Sequence, residues 1–118
     1  MRHIEHTEQT KFVMRARCMH PDLLIFAVPN GGKRDPREAA RLKAEGVLPG
    51  VPDIVVARAA SGYHGLYLEF KTPTGRTSAK QQAVIAQLVD EGYRVEIVRS
   101  AEDAWTVLEG YLTHNIYE

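Results

Sequence analysis

Pro49-Gly50-Val51-Pro52-Asp53-Ile54-Val55-Val56 is followed, one short loop later, by Leu66-Tyr67-Leu68-Glu69-Phe70-Lys71. The apolar runs 54–57 and 66–70 are separated by Arg58-Ala59-Ala60-Ser61-Gly62-Tyr63-His64-Gly65, a turn-rich spacer of the kind that joins two antiparallel strands. The reading is a hairpin. Side chains alternate between the faces of a strand, so Leu66, Leu68 and Phe70 point one way and Tyr67, Glu69 and Lys71 the other. Asp53 lies where the chain enters the partner strand, and a hairpin of this length brings its carboxylate beside Glu69. Two carboxylates and an ammonium then converge at the edge of a mostly apolar sheet.

Hard divalent cations such as magnesium take oxygen ligands, usually one or two carboxylates completed by water and substrate phosphate. Asp53 and Glu69 meet that demand. A cation held there polarises a phosphoryl oxygen and lowers the pKa of a bound water. Lys71 is placed to deprotonate or orient that water, and its role stays open between base and electrostatic stabiliser, because a cation lowers a lysine's pKa while two acids raise it. A blander reading competes. Glu-x-Lys on a strand is most often a solvated face with a surface ion pair, and Asp after Pro is a common turn residue. What favours a site is that both motifs fall on adjacent strands with their acids positioned to meet.

Working outward, 118 residues with 44% apolar side chains suit one soluble globular domain, taken as residues 1–118. No run approaches a membrane span, and the polar first eleven residues lack the apolar core of a signal peptide. The lone Cys18 permits no internal disulfide and no cysteine metal cluster. A cytoplasmic location is expected. Net charge is zero, which argues against a generic nucleic-acid binder. The distribution says more: Lys33, Arg34, Arg37, Arg41 and Lys43 face only Asp35 and Glu38 in one stretch, whereas Asp90, Glu91, Glu96, Glu102 and Asp103 outweigh Arg94 and Arg99 in another.

Residues 4–19 read as a helix with Phe12, Val13 and Ala16 in its apolar stripe. Glu5 and Gln9 share one of its faces, and if that face meets the sheet, Glu5 joins Asp53 and Glu69 as a third acid. Glu8 is the alternative third acid, though it reads better as a first-turn glutamate favoured by the helix dipole. His3 and His6 read as exposed. Residues 23–28 form a continuous apolar run ended by Pro29, the pattern of a buried strand. Asn30-Gly31-Gly32 then supplies either an ordinary turn or, beside Lys33 and Arg34, a loop able to approach a ligand closely. The following helix is clearly punctuated by Asp35 as cap, Pro36 in the first turn, Glu38 three after the cap and Gly46 as stop. Arg34, Arg37 and Arg41 align on its exposed side as phosphate contacts without base readout; the plainer alternative is a solvated face whose bases pair with Glu38 and Glu45.

Past Lys71, a loop carries Arg76, and Ser78 with Gln81 makes a capping box for a helix running to about residue 91, with Val84, Ile85, Leu88 and Val89 as its stripe. Lys80 and Arg76 extend the basic face. Residues 93–98 alternate as a strand, and Ser100 caps a last helix to about residue 113 in which Ala104, Trp105, Leu108 and Leu112 read as core or interface. The tail 114–118 reads as loosely ordered. The order is helix, strand, helix, two antiparallel strands, helix, strand, helix.

Pro52-Asp53 with Glu69-Phe70-Lys71 resembles the bipartite PD-(D/E)xK signature of restriction-endonuclease-like nucleases. Pro29-Asn30-Gly31-Gly32, the helix 37–46, Pro49-Gly50-Val51-Pro52-Asp53, Glu5-His6 with Gln9, and Ser78 with Gln81 together look like the VRR-NUC (virus-type replication-repair nuclease) domain. The likeness covers nearly the whole chain, with its motifs in the expected order. It implies an α/β fold with the restriction-endonuclease-like αβββαβ core, a mixed central sheet flanked by helices. It further implies a Mg2+- or Mn2+-dependent DNA endonuclease in which Glu5, Asp53, Glu69 and the Phe70 carbonyl hold metal, Lys71 handles water and Gln81 lies near the active site. The family resemblance points to branched DNA, a four-way junction or flap, as substrate in replication, recombination or repair. It also implies a phage or bacterial homodimer, with no organic cofactor and no membrane partner.

Overall fold

The computed structural model describes residues 2–29 and 35–113, with side chains from residue 6 onward. Along these residues the elements are α1 (Arg2–Met19), β1 (Ile25–Ala27), α2 (Pro36–Ala44), β2 (Ile54–Val56), β3 (Leu66–Phe70), α3 (Ala79–Asp90), β4 (Arg94–Val98) and α4 (Ala101–Thr113). Their order is the expected one. The strands form one sheet in the order β1-β2-β3-β4. β1 to β3 run antiparallel, and β4 lies parallel to β3. A parallel neighbour cannot be reached by a tight turn, so α3 serves as the crossover.

One face of the sheet carries the core. Ile25, Ile54, Val56, Leu66, Leu68, Phe70 and Val98 pack under Phe12 and Ala16 of α1 and Ala104, Leu108 and Tyr111 of α4. The Phe12 and Phe70 rings stand 5.9 Å apart, which ties α1 to the strand that carries Glu69. Trp105 packs at the α1–α4 seam, with the Arg15 guanidinium 4.1 Å from its ring centre.

The opposite face is covered more thinly than the apolar runs suggest. The apolar run 23–28 predicts a strand buried on both sides, but β1 is a three-residue edge strand with Leu24 61% and Phe26 41% exposed. A continuous apolar run is buried on both faces only where helices cover both. Here α2 buries none of its residues. The stripe of α3 is likewise weaker than expected: Val84, Ile85 and Leu88 are half-buried and Val89 is exposed. The punctuation of α2 holds, with Asp35 accepting from the Glu38 N–H at 2.8 Å, Pro36 in the first turn and Gly46 just past the end at φ +107°. The tail 114–118 lies outside the described residues.

Candidate active site

The last pair of the β2–β3 ladder is Ile54 opposite Leu68. One step further sets Asp53 opposite Glu69, on the face away from the core. Asp53 is held from both sides: its carbonyl accepts the Val28 N–H at 2.7 Å, and its carboxylate accepts the Phe70 N–H at 2.9 Å. The acids therefore meet at the ends of the two interior strands, not on an edge strand. Glu69 is 5% exposed, so the solvated-face reading of Glu-x-Lys fails.

The third limb comes from α3. Ser78 caps this helix, its hydroxyl accepting the Gln81 N–H at 3.1 Å while the Gln81 side-chain oxygen accepts the Ser78 N–H at 2.9 Å. That oxygen also accepts from Lys71 Nζ at 2.9 Å, and the Gln81 amide nitrogen donates to Glu69 Oε2 at 2.8 Å. Lys71 Nζ stands 3.4 Å from the same Glu69 oxygen. Gln81 is thus both cap and clamp. Ser78→Ala should cost about 1 kcal/mol of stability, as for other N-cap losses, while the Gln81 side-chain amide keeps its bonds to the residue-78 backbone N–H, Lys71 and Glu69. Thermal unfolding and the side-chain amide resonances of Gln81 check this, and shifted resonances would tie the clamp to the cap hydroxyl.

Glu69 has its pKa pushed up to about 7, first by burial and second by the Asp53 charge. Lys71 and the Gln81 hydrogen bond pull in the other direction without cancelling the rise. A carboxyl tuned towards neutrality by burial and a like charge is characteristic of functional sites.

The other candidates divide. Asn30, Lys33 and Arg34, and the side chain of Glu5, lie outside the described residues. Among the described residues no third His, Cys, Asp or Glu joins a group able to hold a metal. Glu8 is not a first-turn glutamate, because α1 begins at Arg2. Its carboxylate instead accepts the Ala101 N–H at 2.8 Å and so caps α4, with Lys11 at 2.7 Å. Its pKa is lowered, first by the Lys11 hydrogen bond and then by the Ala101 amide. Arg37, Arg41, Arg76 and Lys80 are exposed. Arg41 pairs with Glu45 at 3.1 Å, as the plainer reading of that helix has it. His6 is exposed.

Sequence reasoning missed Arg99. Its guanidinium donates to the carbonyls of Thr72 and Gly75, both at 2.7 Å, and fastens the loop that leaves Lys71. Backbone carbonyls leave no side-chain signature, so no motif marks this contact.

A family model described as the VRR-NUC domain matches residues 8–102. Among solved structures, one described as a VRR_NUC domain protein is similar to this chain with a TM-score of 0.80 at 24% identity, covering 95% of this chain and 90% of that one. At that identity the likeness concerns the fold. No curated protein matches.

Proposed function

The chain belongs to the VRR-NUC family, and from that premise we propose that it is a divalent-cation-dependent DNA endonuclease that hydrolyses phosphodiester bonds. The observation that carries this reading is the buried Glu69 carboxylate, set beside Asp53 and clamped by Lys71 and Gln81. Burying Glu69 beside a second carboxylate is costly, since each raises the free energy of the other's charge. A cation between them offsets that cost, so the donor set fits magnesium or manganese.

Asp53, Glu69 and the Phe70 carbonyl would hold the ion, with Glu5 as a further acid. When bound, such an ion polarises a phosphoryl oxygen and makes a coordinated water more acidic. The chain's own groups do the rest. Lys71 Nζ stands 3.4 Å from Glu69, where as a free amine it would take the water's proton and as an ammonium it would oppose charge developing on the phosphate. Gln81 holds Glu69 and Lys71 at a fixed separation, which orients both before substrate arrives. Exposed Arg37, Arg76 and Lys80, with Arg41, Asn30, Lys33 and Arg34, supply phosphate contacts that carry no base readout.

The substrate in this reading is branched DNA, a four-way junction or a flap, met in replication, recombination or repair. A homodimer presents two such sites to two strands, which suits a junction. The decisive assay incubates labelled junction, flap, duplex and single-stranded DNA with Mg2+, with Mn2+ and with chelator. Metal-dependent cutting that favours the branched substrates is expected. Equal cutting of plain duplex or free ends would overturn branch selectivity alone. Cleavage of none of them, with retained DNA binding, would replace the nuclease by a binding module of the same fold.

A further inference from the structure

Gly50 sits three residues before Asp53 with φ +99°, a conformation that L side chains rarely adopt. It also faces backbone at close range: a Cβ built on it would lie 2.8 Å from the Lys80 carbonyl oxygen, 2.9 Å from the Lys80 carbonyl carbon and 3.2 Å from the Gln81 amide nitrogen. The turn that delivers Asp53 therefore rests directly on the first turn of α3, the turn that carries Gln81. Neither side gives easily. Pro52, two residues on, is fully buried, and a carbonyl inside a helix does not move apart from its helix.

We propose that Gly50 is a positioning residue whose missing side chain lets the Asp53 turn and the Gln81 turn touch, so that one backbone contact sets the reach of Gln81 to Glu69 and Lys71. The catalytic part of this inference rests on the nuclease reading; its geometric part does not. A methyl group at Gly50 needs roughly half an ångström more room to reach ordinary contact distance. Adding that to the 2.8 Å bond between Gln81 and Glu69 takes it past the roughly 3.2 Å limit of a good N–H···O bond. Gly62 is the natural control, since it too has positive φ (+82°) but nothing lies within 4 Å of its built Cβ.

The experiment compares Gly50→Ala and Gly50→Asn with Gly62→Ala in the full chain, Asn being included because it tolerates positive φ better than Ala. Two readouts are taken: single-turnover cleavage of the best DNA substrate with Mn2+, and the Gln81 side-chain amide resonances in metal-free protein. Both Gly50 variants should shift those resonances and cleave at least tenfold more slowly, with DNA affinity within twofold of wild type. Gly62→Ala should leave both readouts unchanged. In a double variant with Gln81→Ala, Gly50→Ala should slow cleavage no further. Wild-type resonances in a folded Gly50 variant, or full additivity with Gln81→Ala, would overturn the inference. If wild-type protein cleaves no DNA, the nuclease reading fails and the resonances alone decide the positioning role. If Gly50→Ala does not fold, Gly50→Asn decides it, and failure of both to fold would overturn it in favour of a purely structural role.

Discussion

Glu69→Gln is expected to abolish cleavage and, in metal-free protein, to raise stability at alkaline pH. Glu69 has its pKa raised from 4.5 to about 7, so the folded state binds this proton more tightly than the unfolded chain does. The sign follows from linkage. The contribution is fully present below 4.5, where both states are protonated, and is lost as pH rises towards and through 7, where folding holds a buried charge. The displacement corresponds to about 3 kcal/mol at roughly 1.4 kcal/mol per tenfold change in proton affinity. Gln is neutral at every pH and keeps an oxygen to accept from Gln81. Wild type and variant should therefore melt alike near pH 4 and diverge by up to about 10 °C by pH 8, at the few degrees per kcal/mol usual for a domain of this size. Divalent cation should raise the melting temperature of wild type by mass action and leave the variant's unmoved. Parallel melting curves for the two proteins from pH 4 to pH 8 would show that Glu69 is not held as a costly charge.

Lys71→Ala should reduce the cleavage rate by 10²-fold or more, within the range typical for loss of a proton-transfer or charge-stabilising side chain, while DNA affinity changes little. The Lys71 side chain is only 15% exposed and is engaged with Glu69 and Gln81, so it is not one of the exposed bases expected to meet phosphates. Its removal also strips Glu69 of the positive charge that partly restrains the rise in its pKa. Glu69 should then hold its proton to higher pH, and Mn2+ binding, followed by calorimetry, should need a higher pH to reach the affinity seen in wild type. Circular dichroism confirms the fold. Cleavage within a few-fold of wild type by a folded Lys71→Ala protein would remove Lys71 from the chemistry.

Much of this architecture is written locally. Asp35 and Pro36 start one helix and Ser78 with Gln81 another, because capping satisfies backbone N–H groups within three residues of the cap. The period-two alternation of Leu66-Tyr67-Leu68-Glu69-Phe70 allots Leu68 to the core and Glu69 to the other face whatever lies across from it. These patterns, with the turn-rich spacer, suffice for the hairpin, the element order and the meeting of Asp53 with Glu69.

Burial is a different matter, since it depends on what the rest of the chain brings to each surface. The run Leu23-Leu24-Ile25-Phe26 reads as doubly covered, yet Leu24 and Phe26 are exposed because α2 buries nothing against them. Glu8 reads as a first-turn glutamate of its own helix; it sits further along that helix, pairs there with Lys11 and caps α4, more than ninety residues away in sequence. No periodicity announces that Gln81 will bridge Glu69 and Lys71, that Arg99 will hold the loop after Lys71, or that Gly50 will rest on the backbone of Lys80. Hydrogen-bond caps and strand alternation act between neighbours along the chain and survive in any fold, whereas a carboxylate's solvation and a helix's distance from a turn are properties of the assembled packing. Asp53, Glu69, Lys71 and Gln81 were therefore readable one by one as candidates; their coupling into a buried, shifted cluster came only with the packing of α3 against the ends of β2 and β3.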